Sequence, residues 1–442
     1  MKRFFGMWAV IAAVLAGMVG LFYAFYALAA LGAKGAVALG FPGFYGSSIV
    51  NAITLMAVTL MTVAALLTVA ERKWSAAMQD RIGANRIKVF GTALGGVPYL
   101  LADALKMLTK ESIFPAARSK FLFELAPVLA FSPTFALFAV VPVGPEVRAF
   151  GQTVGMWVAN PDAGLLWIFA LAGISVYGTT LAGWASNNRV GLLGAVRASA
   201  QMISYETTLG MSLVGVMIAY RTLNLQEMAI AQGAAVLGPV PALGLLLQPL
   251  GFLVFFTSAF AETKRAPFDL PEGESEIVGY FLEYSGMKFG LLFLAEFVEV
   301  VILAAVTAAV FLGGWHPIFF EGWMKDNLDP VLFGAICAAS FLAKVILLTW
   351  LQLVIRWLLP RFRYDQIQAL CWKLLLPAAI VNVFVTGAAV LLDPTLQLLA
   401  WIGVAEIAVI FGITMAVSKP QPAGHGHEHG DAHGHAAPAA GH

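Results

Sequence analysis

Cysteine occurs only twice in 442 residues, at Cys337 and Cys371, each in or beside an apolar stretch and never as a C-x-x-C pair. A thiolate-held zinc ion or iron–sulfur cluster is thereby excluded. Six of the seven histidines (His425, His427, His429, His433, His435 and His442) crowd the C-terminal tail, and His316 stands alone in a loop. The apolar region therefore lacks an imidazole for proton transfer. There is no G-x-x-x-x-G-K-[ST] loop and no strand-borne G-x-G-x-x-G to cradle a nucleotide phosphate. Charge is scarce as well. Charged residues are 12% of the chain and the net charge is +1, against about 25% charged in soluble domains. That balance gives no case for nucleic acid. Any redox cofactor must be held by a partner or be the substrate itself.

What fills the chain is apolar. Hydrophobic residues make up 60% and the mean hydropathy is +0.83. Runs of about 20 apolar residues recur, the length that crosses a bilayer as a helix. The fold class is an all-α polytopic membrane bundle, with ten spans read at 4–31, 47–70, 121–143, 163–184, 200–220, 237–261, 286–313, 330–353, 374–392 and 395–417. Ala27-Leu28-Ala29 looks like a signal-cleavage site. The run before it exceeds the about 7–15 residues of a signal peptide, so a retained helix is expected. With the N-terminus inside, 21 of the 26 Lys and Arg residues fall in inside segments and four in outside segments, with Lys344 left within a span. The positive-inside rule then puts both termini, residues 71–120, the loop 261–285 and residues 354–373 on the cytoplasmic face.

Residues 71–120 are too many for a simple linker. Within them VPYLLADALKML, 97–108, spaces its apolar residues as an amphipathic helix lying at the interface; a short re-entrant segment is the alternative. No repeat of 20–50 residues is evident. From Ser418 onward the Pro-, Gly-, Ala- and His-rich tail is expected to be disordered, with weak metal binding as its only candidate role.

The most informative stretch is AETKRAPFDLPEGESEIVGYFLEYS, 261–285. Glu262, Asp269, Glu272, Glu274, Glu276 and Glu283 lie between two apolar runs, and Pro267 and Pro271 restrict the backbone around them. A structured loop is expected rather than a plain acidic connector. Further acids lie inside spans: Glu206 in the fifth, Glu296 and Glu299 in the seventh and on one face, Glu406 in the tenth. Each charge at a helix centre costs about 2.5–3.5 kcal/mol on insertion scales, so such residues face a bundle interior and pair. Glu206, Glu262 and Glu296 are read as a proton relay, since buried carboxylates can hold protons near neutrality. Lys344 and Glu406 fit a relay and a helix-locking pair equally. Asp103 with Arg72 and Arg81 forms a polar cluster beside apolar segments, suited to a ligand with a polar head and an apolar tail. The same arginines would also serve as inner-face markers or lipid-headgroup contacts.

Six motifs then fall into a pattern: AERKWSAAMQDRIGANR (70–86), LADALKMLTKE (101–111), GWASNNRVGLLGAVRASAQMISYE (183–206), AETKRAPFDLPEGESEIVGYFLEYSG (261–286), FLAEF (293–297) and LPRFRYDQ (359–366). In this order they resemble the quinone-site membrane subunit of proton-pumping NADH:quinone oxidoreductase, or complex I, known as the H subunit in bacteria and as NADH dehydrogenase subunit 1 in mitochondria. The resemblance covers about residues 47–392. It implies an eight-helix core at 47–392, an extra helix and outside loop at 1–46, another extra helix at 393–417 and the tail at 418–442. It implies a quinone, ubiquinone or menaquinone, as substrate. FMN and iron–sulfur clusters would lie in partner subunits: the peripheral-arm quinone-site and terminal iron–sulfur subunits, with other membrane subunits alongside in the bacterial inner membrane. No catalytic centre or metal is expected in this chain alone.

Carried over by motif, Arg72, Arg81, Asp103, Arg265 and Phe268 would line the quinone chamber. Glu71, Glu206, Glu262, Glu272, Glu274, Glu276, Glu283 and Glu296 would form the funnel of acids that couples quinone reduction to proton translocation. Arg361, Arg363 and Asp365 would tie loops together. The sequence departs from the pattern in several places. Gly83-Ala84-Asn85-Arg86 replaces Gly-Pro-Asn-Arg, 87–101 is longer than usual, Lys264 replaces the usual Asn, and Phe297 the usual Tyr. Glu124 and Glu299 are acids the pattern does not account for. Two alternatives stay open. One is the homologous subunit of a membrane-bound hydrogenase or another donor-linked dehydrogenase. The other is an ion-coupled secondary transporter, which would call for inverted halves and broken helices; neither is read from the sequence.

Overall fold

A backbone in lipid has no water to bond to, so each long apolar run closes its own N–H and C=O groups as a helix. The computed structural model describes residues 2–88, 94–238, 240–271, 273, 279–317 and 321–417. Among them nine helices are long and apolar enough to cross a membrane. They are α1 (Lys2–Ala38), α2 (Gly43–Met78), α4 (Lys120–Leu137, running on to Val140), α5 (Gly164–Ala185), α6 (Arg189–Tyr220), α10 (Gly286–Phe311), α12 (Pro330–Leu358), α13 (Tyr364–Leu392) and α14 (Gln397–Val417). Short elements fill the connections: α3 (Pro98–Thr109), α7 (Leu225–Gln232), α8 (Gly244–Leu247), α9 (Pro249–Glu262) and α11 (Glu321–Asn327). An antiparallel hairpin, Gly144–Ala149 with Gln152–Met156, pairs Val147 with Val154.

The packing has a clear centre. In α10, 78% of the most apolar window is buried, against 17% in α14. The helix that carries Glu296 and Glu299 is therefore the axis, and α14 leans on the outside. Side chains outside the contacts of α14 face where lipid would lie, as expected of a helix apolar all round.

The sixth expected span, 237–261, is a correction. It is not one helix. Ala235–Leu237 and Val240–Pro241 pair as a small ladder, α8 makes one turn, and the chain breaks at Gln248 (φ −142, ψ 59) before α9 begins. Pro249 supplies the reason: without an N–H it cannot continue a helix but suits the first position of one. At 14 residues α9 is about 21 Å long, short of the about 30 Å hydrocarbon core. A broken helix thus exists where the sequence suggested none. Its polar groups are met from neighbours. Asn382 Nδ2 donates to Gln248 Oε1 at 2.6 Å, Gln248 Nε2 donates to Thr386 Oγ1 at 2.5 Å, and Leu250 N donates to Glu406 at 3.3 Å.

Other boundaries moved as well: α1 runs to Ala38 rather than residue 31, α12 to Leu358 rather than 353, and α13 begins at Tyr364 rather than 374. Helix α2 runs to Met78 rather than residue 70, with a π-helical stretch at Ala52–Leu60, so Glu71 and Arg72 sit on a helix and not in a loop. Helix α6 begins at Arg189 rather than residue 200, started by Asn188, whose side chain accepts from Val190 N. The amphipathic segment is helical as expected, and Leu101, Leu105 and Leu108 form an exposed apolar stripe along it. Lys344 pairs with no glutamate among the described contacts. Its ammonium donates to the carbonyls of Leu312, Gly314 and His316 at 2.8, 3.0 and 2.7 Å, the first at the C-cap of α10 and the others in the loop beyond it. It locks helices through backbone, not through a carboxylate.

Candidate functional site

Thr68, Glu71, Arg72 and Ser75 follow the i, i+3, i+4, i+7 spacing of one helical face. They line a cavity of about 380 Å³. Arg81, Gly83 and Ala84 from the next loop, Tyr99 of α3, and Phe293 and Phe297 of α10 complete the wall. The wall is thus apolar on one side and cationic on the other, the combination that holds a molecule with a polar head and an apolar body.

The polar side is braced. Arg265 Nη1 donates to Glu71 at 2.7 Å, and Arg356 donates to the other oxygen of the same carboxylate. The Arg265 guanidinium also stacks 3.9 Å from the Phe297 ring centroid, a geometry in which the ring's negative face attracts the cation. Arg72 pairs with Asp103 at 2.6 Å, which ties α2 to α3. Arg81 Nε donates to Gln79 at 2.7 Å, and Tyr99 OH accepts from Arg86 N at 2.9 Å.

Of the expected chamber residues, Arg72 and Arg81 line the cavity, while Asp103 and Arg265 act through residues that do. Phe268 does not reach it. It is buried among Tyr205, Phe260 and Phe362, and its carbonyl accepts from Gln201 Nε2 at 2.8 Å. There it anchors the loop against α6.

A second, much smaller cavity of about 20 Å³ lies between α5, α6, α9 and α10. That is room for about one water molecule. Glu206, Glu262, Glu299 and Ser175 supply its polar lining. One helical turn from Glu299, on the chamber side, Glu296 accepts from Tyr280 OH at 2.8 Å. Asp269 accepts from Arg361 at 2.7 Å. Burial pushes the Asp269 carboxyl up to about 6, although Arg361 and Arg356 pull the other way. Glu283 is set apart and accepts from Asn188 Nδ2 at 2.6 Å. Glu272, Glu274 and Glu276, together with the His-rich tail, lie outside the described residues. Arg363 and Asp365 form a local exposed pair at 2.6 Å.

Sequence reasoning missed the ion pair between Lys264 and Glu299, 3.3 Å apart and both buried. Burial works against the Lys264 ammonium, but the carboxylates of Glu299, Glu296 and Glu262 outweigh it and hold the group above its ordinary range. The signal was present: both positions stand out as departures from the motif pattern. Their meeting was not visible, because 35 residues and a turn separate them. Glu124 is likewise explained, pairing with Lys288 at an exposed edge.

Comparison with known proteins agrees with the motifs. A family model described as NADH dehydrogenase matches residues 50–387. The NADH-quinone oxidoreductase H subunit numbered 2 of Syntrophobacter fumaroxidans is 41% identical over 344 residues, covering 78% of this chain and 96% of that protein. The H subunit numbered 1 of Geobacter metallireducens is 42% identical over 336 residues, 76% of this chain and 94% of its own length. The H subunit numbered 1 of Geobacter sulfurreducens is 40% identical over 367 residues, 80% and 98% respectively. With the match running from most of α2 through most of α13, the chain belongs to the NADH dehydrogenase family, as an H subunit of NADH-quinone oxidoreductase.

Proposed function

We propose that this chain forms the quinone chamber of a respiratory complex I together with the peripheral arm, and couples quinone reduction to proton translocation through its buried carboxylates. One observation carries this reading. Phe293 and Phe297 of α10 wall the larger cavity, while Glu296 and Glu299, on the same two turns, face the bundle interior. A change of charge in the chamber therefore acts on the acid thread through one rigid element.

The roles divide by geometry. Arg72 and Arg81 offer donors to a quinone headgroup, and the phenyl rings take its apolar body. Arg265 keeps the wall cationic through Glu71 and Phe297. Glu71, held between two guanidiniums, is better suited to brace the wall than to carry a proton. Glu296, Glu299, Glu262 and Glu206 hold and pass protons, with Tyr280 and a water in the small cavity as bridges. By motif, Glu272, Glu274 and Glu276 belong to the same relay, as does Glu283. Phe268 and Asp103 support the chamber from behind. Electrons come from iron–sulfur clusters and FMN in partner subunits, and ubiquinone or menaquinone accepts them. The chain lies in a bacterial inner membrane with both termini cytoplasmic, its core at 47–392 flanked by the two extra helices.

The broken helix α8–α9 is what an ion-coupled transporter would use near mid-membrane. Here Asn382, Thr386 and Glu406 already take up the polar groups at the break, which favours the complex I reading. Solubilising native membranes and isolating this chain tests it. Redox subunits and a bound quinone should accompany it. Isolation with a nickel-hydrogenase subunit and no quinone would overturn the proposal.

A further inference from the structure

Positions 264 and 299 are departures from the motif pattern that add opposite charges, and in the fold the two side chains meet at 3.3 Å. Lys264 lies two residues beyond the end of α9 with φ +56, a left-handed turn that directs the chain back towards the bundle. Its side chain is 3% exposed. A buried ammonium is costly unless paired, and Glu299 is its ion-pair partner, with Met202 Sδ at 3.9 Å as a weak second acceptor. A lysine is a point charge on a flexible stem, not a fork that locks a carboxylate in place. Glu299 is thus paired with a cation while remaining part of the small cavity it shares with Glu206 and Glu262. Glu296, one turn away, is also within electrostatic reach of the ammonium.

We propose that Lys264 is a positioning residue of the acid thread: its charge keeps Glu299 ionised at the small cavity, so that Glu299 accepts protons from the Glu296 side and hands them to Glu262 and Glu206. This rests on the relay reading above. The step moves one proton between carboxylates and changes no oxidation state. The ammonium keeps its own protons throughout.

The test uses the intact complex in membrane vesicles with the variants Lys264→Met, Lys264→Arg, Glu299→Gln and the double Lys264→Met/Glu299→Gln. Two readouts are needed: protons moved per quinone reduced, and the infrared carbonyl stretch of a neutral carboxylic acid. Lys264→Met should gain one such band that is missing in the double variant, which assigns it to Glu299. Proton movement should fall at least about tenfold, because a carboxyl that is already neutral cannot accept a proton. Lys264→Arg keeps the charge and should show no new band, but its fork locks the carboxylate, so proton movement should still fall in part. Absence of the new band in Lys264→Met would overturn the proposal. So would full pumping by the double variant, a neutral pair that buries no charge and should assemble. Full pumping by Glu206→Gln would remove the relay itself, whichever way the band goes, and so distinguishes that failure from a failure of Lys264.

Discussion

Arg265 and Glu71 stand 194 positions apart in the chain and meet at 2.7 Å, with Arg356 on the second oxygen of the same carboxylate. One acid therefore joins α2, the acidic loop and the end of α12 at the rim of the larger cavity. Neutralising it should loosen all three. Glu71→Gln leaves two largely buried guanidiniums without their anion, and hydrogen bonds to charged groups are worth about 1.5–3 kcal/mol each. Thermal unfolding in detergent should show a loss of about 2 kcal/mol, with Glu71→Asp intermediate. An unchanged melting curve would mean that the rim is held by other contacts.

Arg265→Ala should reduce quinone reduction by the complex at least about tenfold, because a cation stacked on Phe297 and paired with Glu71 is lost from the wall. Electron transfer from NADH to an artificial acceptor, which bypasses the chamber, should survive. Arg265→Lys should recover only part of the activity, since an ammonium neither forks nor stacks as a guanidinium does. Equal loss of both activities would indicate failed assembly.

Glu206 has an unusual neighbour. A Cβ added at Gly173 would lie 3.2 Å from Glu206 Oε1, tighter than an ordinary contact. Glu206→Gln should leave the complex assembled but cut proton movement by about 100-fold, the scale of a lost acid–base group. Gly173→Ala keeps the carboxylate and displaces it slightly, so a smaller fall is expected, measured in the same vesicle assay. Wild-type pumping in Glu206→Gln would take this residue out of the relay.

Asp269 gives a pH signature. Burial raises its carboxyl to about 6, so the native state binds the proton more tightly than the unfolded chain does. Its contribution to stability is complete below the unfolded value and fades as pH rises through about 6, by up to about 3 kcal/mol at about 1.4 kcal/mol per unit. Heat resistance in detergent should therefore be greater near pH 5 than above about pH 7, and Asp269→Asn should flatten that difference. The opposite slope at this residue would mean that its pairing with Arg361 outweighs burial.

The last helix is attached closely. A Cβ at Gly403 would lie 1.8 Å from the Leu246 carbonyl oxygen, where α14 crosses the broken segment. Gly403→Leu should push α14 away and cost about 1–3 kcal/mol, as overpacking does. Crosslinking between cysteines introduced on α14 and α9 would report the separation; undiminished crosslinking would rule it out.

The sequence by itself determined the class of protein, nearly every span and the acids worth watching. These follow from transfer free energies that each residue carries with it wherever it lies: apolar side chains prefer lipid, and a charge in lipid must find a use. The motifs added the family, which the comparisons show. Only the tertiary structure decided which charges meet. Lys264 with Glu299, Glu71 between two arginines, Lys344 on backbone carbonyls and Phe268 inside an aromatic cluster are long-range choices. Pairing depends on how helices rotate and cross, and no local preference encodes that. The break at Gln248 belongs to both levels. Proline at 249 made it possible, and neighbouring helices make it tolerable within a membrane: Glu406 accepts from Leu250 N, while Asn382 and Thr386 hold the buried Gln248 side chain.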